Sequence, residues 1–309
     1  MSAAVVTAVV VTFNRKDLLA ECLGALRAQT VPPQRVIVVD NASTDGTGEL
    51  LAGALDVEVV TLRHNTGGAG GFAAGIATAL TGPADAIWLL DDDTIPEPTA
   101  LAELVAARDR YPGSRPAVMA SRVVWTDGRD HPMNTPRTRA GVDGIALDAA
   151  ASVGCRPIRS ASFVSILVGR EAVERYGLPE AAYFLWNDDF EYTTRLLRDA
   201  VGLYCPASVV VHKTRSFGST DADPGERFFY EVRNKAWLFT RSRSLSPAEK
   251  VLYGGSTVRR WARTLARSKD RIVLWRGLRD GLRAACRPPM QTVGLLQEAG
   301  YVESEEGRA

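Results

Sequence analysis

The sequence predicts an α/β fold in which a mostly parallel central sheet is flanked by helices, followed by a helical C-terminal extension. Over the first half of the 309 residues, short β-branched runs alternate with helical stretches. This is the pattern of parallel strands joined by crossover helices. Polar residues directly follow several of the apolar runs, and basic residues concentrate in one late, helix-forming segment.

Four strands and four helices are predicted in the first 110 residues. β-branched runs place the strands at 5–11, 35–39, 57–62 and 86–90. Helical patterns place the helices at 15–29, 47–54, 71–80 and 97–110. Asn14, Asp40 and Asp91 each follow a strand directly. Ligands bind outside the carboxyl ends of strands in open α/β sheets, so we expect these three side chains to line one crevice.

The middle of the chain is less regular, with strands expected at 163–168 and 207–211 and a helix at 183–199. From residue 256 onward the pattern is helical, with arginines around one apolar face. That face is expected to contain Val258, Trp261, Leu265, Ile272, Trp275, Leu278 and Leu282. We therefore divide the chain into a main domain, 1–240, and a basic helical extension, 241–309, which ends in a polar tail at 303–309.

Charge is balanced overall but unevenly distributed. The chain has 37 Lys and Arg against 36 Asp and Glu, but ten basic and only two acidic residues fall between positions 254 and 287. The amphipathic segment 258–287 has two interpretations: it binds an anionic membrane surface, or it packs on the main domain with its arginines in solvent. The main domain lacks interleaved basic and aromatic residues, so no nucleic-acid partner is expected.

Cysteine usage and the apolar runs indicate a cytoplasmic protein. The four cysteines stand far apart without a C-x-x-C pair, which predicts neither a zinc site nor a disulfide framework. The apolar run at 5–13 has no basic n-region and no cleavage site, so it is interpreted as a strand and not as a signal peptide. The charge-free run at 65–84 contains several glycines and a proline, which favours a loop and helix over a membrane span.

Asp91, Asp92 and Asp93 close the predicted strand at 86–90. Three adjacent carboxylates at one turn repel one another unless a cation is present. Their oxygen ligands suit Mg²⁺ or Mn²⁺, which would bridge to the phosphates of a ligand. The alternative is a solvated acidic loop; the position at a strand end favours the metal site.

A glycine-rich run, NTGGAGGF at 65–72, follows the third strand and opens a helix. Glycines let backbone N–H groups approach a phosphate or ribose closely, and a helix N-terminus favours negative charge. The run also fits the G-x-G-x-x-G/A dinucleotide fingerprint formally. That fingerprint normally follows the first strand, which here leads instead into Thr12 and Asn14. A nicotinamide-dependent enzyme is therefore disfavoured.

Two further groups lie in the second half of the chain. Asp189, in the predicted helix at 183–199, could accept a proton from an incoming hydroxyl as a general base. Helix capping by Asp188 or Asp189 explains the same pattern. His212 follows the predicted strand at 207–211 and is either an ordinary histidine or a third protein ligand of the metal held by the aspartates.

Taken in order, these motifs resemble glycosyltransferase family 2, whose members are inverting enzymes with the Rossmann-like GT-A fold. The runs VVVTFNR at 9–15 and VVDNASTDGT at 38–47 look like the first two strand ends of that family. Asp91 and Asp93 match its D-x-D pair, and His212 matches its late metal-ligand histidine. Asp188 and Asp189 stand where the family often has Glu-Asp. The resemblance extends to about residue 237.

The resemblance implies a role for each matching residue. Asp189, beside Asp188, would act as the catalytic base, and Trp186 and Asp188 would contact the acceptor. Mg²⁺ or Mn²⁺ would be held by Asp91, Asp93 and His212. The nucleotide-sugar donor would be bound by Thr12, Asn14, Arg15, Asp40, Asn65, Gly67, Gly68, Gly70, Asp91 and Asp92.

A narrower resemblance, to bacterial galactofuranosyltransferases and rhamnosyltransferases, includes the run FFYEVRN at 228–234. It implies metal-dependent, inverting transfer of galactofuranose from UDP-galactofuranose to a hydroxyl of a glycan or lipid-linked acceptor. Asn187, before the two acids, departs from some members. The chain does not show the long extra domains of polymerising enzymes, so we expect single addition.

Alternatives to this function stay open. The first is a rhamnosyltransferase that uses dTDP-rhamnose, and the second is a sugar-nucleotide binding module, which would not need Asp189. Nucleotidyl transfer is disfavoured because the glycine-rich loop and basic residue expected after its first strand are missing. We expect a cytoplasmic protein, located at the inner face of the plasma membrane if the basic segment binds lipid. The sequence does not indicate an oligomeric state.

Overall fold

The computed structural model describes residues 4–215, 217 and 223–301, and the predicted polar tail at 303–309 lies outside them. All four cysteines are free. Ten strands form one sheet. They are β1 (Val6–Thr12), β2 (Arg35–Asp40), β3 (Glu58–Thr61), β4 (Ala86–Asp91), β5 (Thr94–Pro96), β6 (Val118–Val124), β7 (Arg137–Thr138), β8 (Arg156–Ser160), β9 (Ser165–Gly169) and β10 (Gly202–His212).

The helices lie between and after these strands. Those of the predicted main domain are α1 (Lys16–Arg27), α2 (Thr47–Ala52), α3 (Gly67–Leu80), α4 (Ala100–Arg110), α5 (Gly144–Ser152), α6 (Arg170–Tyr176), α7 (Asp188–Leu196) and α8 (Phe228–Thr240). The C-terminal extension contains α9 (Pro247–Arg267), α10 (Arg271–Ala285) and α11 (Thr292–Glu298).

The sheet has the order β3-β2-β1-β4-β9-β6-β10-β8-β7, with β5 paired to β10 off this path. Strands β3, β2, β1 and β4 run parallel to their neighbours. Strand β9 is antiparallel to both β4 and β6, so β6 and its parallel partner β10 run in the same direction as β4. The predicted α/β fold with a mostly parallel sheet is confirmed.

Helices cover both faces of the sheet because the central strands are apolar on both sides. In β1, Ala8 and Val10 belong to the core formed with α1 and α4. Val9 and Val11 belong to the opposite core, formed with α3, α7 and α11. The strands β1, β2 and β4 end at the same edge of the sheet, where the predicted site residues follow them.

Helix α3 begins at Gly67, four residues before the predicted start at residue 71. The glycine run therefore forms the first turn of the helix and not a loop that precedes it. A Cβ atom at Gly71 would overlap the side chain of Val11, and one at Gly75 would overlap Val9. Glycine at these positions lets α3 lie directly against β1.

The predicted helix at 183–199 is shorter in the structure. A 3-10 turn at Ala181–Tyr183 is followed by a loop, and α7 spans only Asp188–Leu196. Phe184, Trp186 and Asn187 have φ values of 64°, 65° and 63°. This left-handed conformation is unfavourable for residues with a Cβ atom and interrupts the helix.

Asn234 of α8 stabilises this loop. Its Nδ2 donates to the carbonyl oxygens of Tyr183, Leu185 and Trp186 at 2.9, 2.9 and 2.8 Å. Because Asn234 is fully buried, loss of these bonds would leave several polar groups unpaired. The loop conformation that precedes Asp188 thus depends on a residue almost 50 positions later.

The extension packs on the main domain through α10 and α11. Leu274 of α10 forms a small core with Phe228 and Val232 of α8. Leu296 of α11 and Ala299 join the core that contains α3. The division at residue 240 stays a prediction.

The single apolar face predicted for the extension is wrong. Trp261, Leu265 and Leu278 pack against the small core of α8 and α10. Four other members of the predicted face lie in solvent, because α9 and α10 are separate helices that present different sides to the main domain. These are Val258, Ile272, Trp275 and Leu282, with exposed fractions of 63%, 74%, 59% and 47%. No helix in the described part of the chain combines the length and hydrophobicity needed to cross a bilayer.

Candidate active site

Asp91, Asp93 and His212 meet at the edge of the sheet where β4 and β10 end. Each offers one ligand atom, and the three atoms lie within 4.8 Å of one another. The turn after β4 leads into β5, which pairs antiparallel with the end of β10 and places Thr94 opposite His212. This pairing brings the aspartates to a histidine more than 100 residues later. The three residues are called the Asp–Asp–His triad below.

The hydrogen bonds around His212 leave a place for a cation. Asn134 Nδ2 donates to Ser162 Oγ at 3.1 Å, so Asn134 Oδ1 faces His212 and accepts from its Nδ1 at 3.0 Å. In the neutral imidazole, Nε2 then carries a lone pair. That nitrogen lies 3.0 Å from Asp93 Oδ1. Burial lowers the pKa of His212, but the pairing with Asp93 raises it above its ordinary value. Two acceptors at this distance require a proton or a metal ion between them.

The three carboxylates of the aspartate run differ in pKa. Burial raises the pKa of Asp93, but the hydrogen bond and charge of His212 lower it by more, so that it lies below its ordinary value. Burial, followed by the charge of Asp93, raises the pKa of Asp91 to about 7. Burial raises the pKa of Asp92 to about 6. The solvated-loop alternative is wrong, because Asp92 and Asp93 are only 4% and 3% exposed. A divalent cation would relieve the repulsion between these groups, so the residues present fit Mg²⁺ or Mn²⁺.

Asp92 turns away from the triad toward the end of β1. Its Oδ2 accepts from Thr12 Oγ1 at 2.8 Å and from the backbone N–H of Phe13 at 3.3 Å. Arg15 Nη1 lies 3.1 Å from Asp92 and 2.5 Å from Asp93. Thr12 and Arg15 are therefore joined to the aspartate run, as expected for residues at adjacent strand ends.

Asn14 and Asp40 shape the loop after β2. Asp40, which is buried, accepts from the backbone N–H of Ser43 through Oδ1 at 2.9 Å. Asn14 has a φ of 52° and accepts from the N–H of Thr44 through Oδ1 at 2.7 Å. The two predicted donor residues thus lie on adjacent loops at the edge of the crevice. Both accept hydrogen bonds from the backbone of Ser43 and Thr44.

The start of α3 is fixed by two asparagines. Asn65 Oδ1 accepts from the N–H of Gly67 at 2.7 Å. Asn41, which sequence analysis did not single out, donates to the carbonyl of Gly67 and accepts from the N–H of Thr66, both at 2.8 Å. Its position directly after Asp40 is the signal that could have found it.

The predicted donor glycines have different surroundings. Gly67, with a φ of 71°, packs against the carbonyl of Phe184, so only glycine fits there. Gly70 packs against the side chain of Thr66. A Cβ atom at Gly68 would lie 3.9 Å from Asp188 Oδ2, so this glycine faces the carboxylate pair.

Asp188 and Asp189 begin α7, and Asp189 Oδ1 accepts from the backbone N–H of Phe190 in the first turn at 2.6 Å. Asn187 occupies the cap position, and its Nδ2 donates to Glu231 Oε2 at 2.7 Å. Burial, then the charge of Asp189, raises the pKa of Asp188 well above its ordinary value, and the charge of Asp91 adds to this. Asp188 therefore holds a proton more readily than a free aspartate does, and part of this effect comes from Asp91 of the triad.

Asp189 has a different environment. Burial raises its pKa, whereas the N–H of Phe190 and the charges of Lys235 and Arg137 lower it. Of the two carboxylates, Asp188 is therefore influenced by the triad, and Asp189 is influenced by the cations Lys235 and Arg137. Trp186, the predicted acceptor residue, is half-buried in the loop before them.

Glu231 is a second residue that sequence analysis did not assign. Besides Asn187, it accepts from Trp261 Nε1 at 3.2 Å and pairs with Arg260. It therefore connects the loop before Asp188 to α9 of the extension. The run at 228–234 was the available signal, but its spacing alone does not show which loop its side chains contact.

Comparison with known proteins places this site in a family. The family profile described as Glycosyl transferase family 2 matches residues 7–160. Galactofuranosyltransferase GlfT1 of Mycobacterium tuberculosis is 31% identical over 273 residues, which cover 81% of this chain and 87% of that protein. This chain belongs to glycosyltransferase family 2. The predicted family, and with it glycosyltransferase activity, is confirmed.

Solved structures confirm the predicted GT-A fold of this family 2 glycosyltransferase. The structure of S. aureus TarS 1-349 in complex with UDP-GlcNAc superposes with a TM-score of 0.62 at 17% identity, covering 91% of this chain and 81% of that one. The mannosyltransferase PcManGT from Pyrobaculum calidifontis, in complex with GDP-Man and Mn²⁺, gives a TM-score of 0.53 at 17% identity over 97% of this chain and 85% of that one.

Proposed function

We propose that this glycosyltransferase transfers galactofuranose from UDP-galactofuranose, with inversion, to a hydroxyl of a glycan or lipid-linked acceptor in a metal-dependent reaction. The observation that carries the proposal is the juxtaposition of the Asp–Asp–His triad with Asp188 and Asp189 at one edge of the sheet. The sequence similarity to GlfT1 over most of both chains supports the choice of sugar.

The triad would hold Mg²⁺ or Mn²⁺, which would neutralise charge on the donor diphosphate when bound. His212 and Asp93 supply opposed lone pairs for this ion, and Asn134 keeps the imidazole in the required tautomer. The Mn²⁺ in the PcManGT complex is consistent with the use of such an ion on this fold.

Asp189 would accept the proton of the acceptor hydroxyl while its oxygen attacks the anomeric carbon from the face opposite the leaving diphosphate. This direct displacement inverts the anomeric configuration. Lys235 and Arg137 favour the ionised form of Asp189, which a base requires. Protonated Asp188 and the loop residue Trp186 would contact the acceptor.

The donor would lie along the carboxyl ends of β1, β2 and β4 and the start of α3. There the backbone is held by side-chain hydrogen bonds that fix the crevice before a ligand arrives. The donor-binding residues would be Thr12, Asn14, Arg15, Asp40, Asn65, Gly67, Gly68, Gly70, Asp91 and Asp92.

A donor screen tests the proposal. The protein is incubated with Mn²⁺ and UDP-galactofuranose, UDP-galactopyranose or dTDP-rhamnose, and release of nucleoside diphosphate is measured. We expect slow hydrolysis that is fastest with UDP-galactofuranose and stops in EDTA. Faster hydrolysis of dTDP-rhamnose would establish the rhamnosyltransferase alternative. Binding of nucleotide sugars without any hydrolysis would indicate a binding module.

We also propose peripheral association with an anionic membrane surface, at the inner face of the plasma membrane. Ile272, Trp275 and Leu282 of α10 are exposed and are interspersed with Arg271, Arg276, Arg279 and Arg283. Apolar side chains that enter the headgroup region and arginines that contact anionic lipids would act together. A lipid-linked acceptor would be met at this surface.

Vesicle flotation tests the membrane proposal. We expect the protein to float with vesicles of phosphatidylglycerol and phosphatidylcholine. Ile272→Ser with Trp275→Ser should weaken binding by more than about tenfold, because each buried apolar side chain contributes about 1.5–3 kcal/mol. Leu55→Ser with Ile145→Ser is the matched control, since these residues are 96% and 84% exposed elsewhere. Equal flotation of all three proteins would contradict the proposal.

A further inference from the structure

A cavity of about 700 Å³ lies beside α7, between β7, α8 and α9. Its volume is that of a small-molecule site. Five of its twelve lining residues are Lys or Arg, and none of the twelve is acidic. The cavity, called the basic cavity below, therefore has the electrostatic character of an anion site.

Most of these cations lack an acidic partner. Arg260 pairs with Glu231, but Arg137, Arg259 and Arg263 form no ion pair with the described residues. Lys235 is the most informative because it is only 7% exposed. Its Nζ lies 4.9 Å from the centroid of the Phe190 ring, and the charges of Glu231 and Asp189 act on it.

Burial of an ammonium group is costly. Burial lowers the pKa of Lys235 to about 8, although the charges of Glu231 and Asp189 oppose this shift. An anion in the basic cavity would further stabilise the charged form of Lys235. The guanidinium groups of the lining arginines are also suited to bind phosphate oxygens in pairs.

The basic cavity adjoins the proposed base. Phe190, which follows Asp189, forms one wall and packs edge-on against Tyr253 with ring centroids 5.6 Å apart. The guanidinium carbon of Arg137 lies 5.5 Å from the Phe190 ring, and the charges of Arg137 and Lys235 act on Asp189. Asp188, in contrast, is influenced by Asp91 of the triad. The cavity therefore belongs to the acceptor side of Asp189.

We propose that the basic cavity binds a phosphate or diphosphate group of the acceptor, with Arg137, Lys235, Arg259 and Arg263 around its oxygens. This inference rests on the proposed function and specifies its acceptor as a phosphorylated molecule. Two ester types share this chemistry, a lipid-linked and a water-soluble phosphate. The exposed residues Val251 and Leu252 at the cavity give a hydrocarbon chain a place to lie.

Calorimetric titration of the full chain in EDTA tests the proposal without turnover, because EDTA prevents metal-bridged binding of phosphates at the triad. The probes are octyl diphosphate, inorganic pyrophosphate and octanol. We expect both phosphates to bind and octanol not to bind. Arg259→Gln with Arg263→Gln should raise both dissociation constants at least about tenfold, because each substitution removes charged hydrogen bonds to the phosphate oxygens.

Arg267→Gln is the matched control, because Arg267 lies on α9, as Arg259 and Arg263 do, but outside the cavity lining. This variant should change the dissociation constants less than twofold. Tighter binding of octyl diphosphate than of pyrophosphate would assign the group to a lipid-linked acceptor, and equal binding would assign it to a water-soluble one. Dissociation constants unchanged by Arg259→Gln with Arg263→Gln would overturn the proposal.

The two proposals fail in distinguishable ways. If the protein hydrolyses UDP-galactofuranose but binds both phosphates independently of Arg259 and Arg263, only the proposal of phosphate binding in the basic cavity is contradicted. A protein whose phosphate binding depends on these arginines but which hydrolyses no donor contradicts only the proposed function.

Discussion

Asp189→Asn is expected to lower the turnover number by about 10²- to 10⁴-fold, the usual contribution of a general base. The amide keeps the size of the side chain but cannot take a proton from the acceptor hydroxyl. Donor affinity should stay almost unchanged, because the proposed donor contacts do not include Asp189. The measurement is initial rates of hydrolysis and transfer, together with calorimetric binding of UDP in the presence of Mn²⁺.

Two controls make this result specific. Asp148→Asn alters an aspartate that is exposed on α5 and should leave the rate unchanged. Asp188→Asn should cost less than Asp189→Asn, because Asp188 is proposed to contact the acceptor and not to take its proton. Near-normal turnover of Asp189→Asn would refute its assignment as the base.

The rate should also depend on pH through the ionisation of Asp189. Burial raises the pKa of Asp189, so the ionised base is lost at a higher pH than for a free aspartate, whose pKa is about 3.9. The rate should therefore be full above this raised pKa and fall as the pH drops through it. Asp189→Asn should remove this acidic limb from the residual activity.

Removal of metal is the second change with a large expected effect. EDTA should reduce donor hydrolysis to background, and added Mn²⁺ or Mg²⁺ should restore it. His212→Ala should weaken both activity and Mn²⁺ binding, measured directly by electron paramagnetic resonance. Full activity in EDTA would show that the Asp–Asp–His triad does not hold a catalytic cation.

Substitution of Asn134 tests whether the tautomer of His212 matters for metal binding. Asn134→Ala removes the hydrogen bond that sets the His212 tautomer and should weaken Mn²⁺ binding about 10- to 100-fold, as loss of a partner behind a metal ligand commonly does. His64→Ala, which alters an exposed histidine, is the matched control and should bind Mn²⁺ as the parent protein does. Equal affinity in all three proteins would contradict the tautomer argument.

Local patterns were sufficient to predict the four N-terminal strands of the sheet. The four N-terminal strands lie within one or two residues of their predicted limits, because each is a short apolar run bounded by polar residues. Asp40 and Asp91 end β2 and β4, and parallel pairing with β1 brings these ends to one edge. Periodicity and chain order determine such features without knowledge of distant contacts.

Other features depend on contacts between distant segments. The start of α3 at Gly67 follows from its close packing on β1, and the end of the predicted helix at 183–199 follows from the loop that Asn234 holds. Neither partner is near in sequence, so local propensity could not reveal them. The separation of the extension's apolar residues into buried and exposed sets has the same cause.

The sequence by itself determined the α/β class and the family and predicted Asp91, Asp93, Asp189 and His212 as candidate site residues, because strand patterns and motif order are local properties of the chain. Only the tertiary structure decided which of these side chains meet. It opposes His212 Nε2 to Asp93 Oδ1 through the pairing of β5 with β10, and it gathers cations from three separate segments around Phe190, the neighbour of Asp189. The physical reason is that charge and lone-pair complementarity depend on distances across the fold, which residue spacing along the chain does not specify.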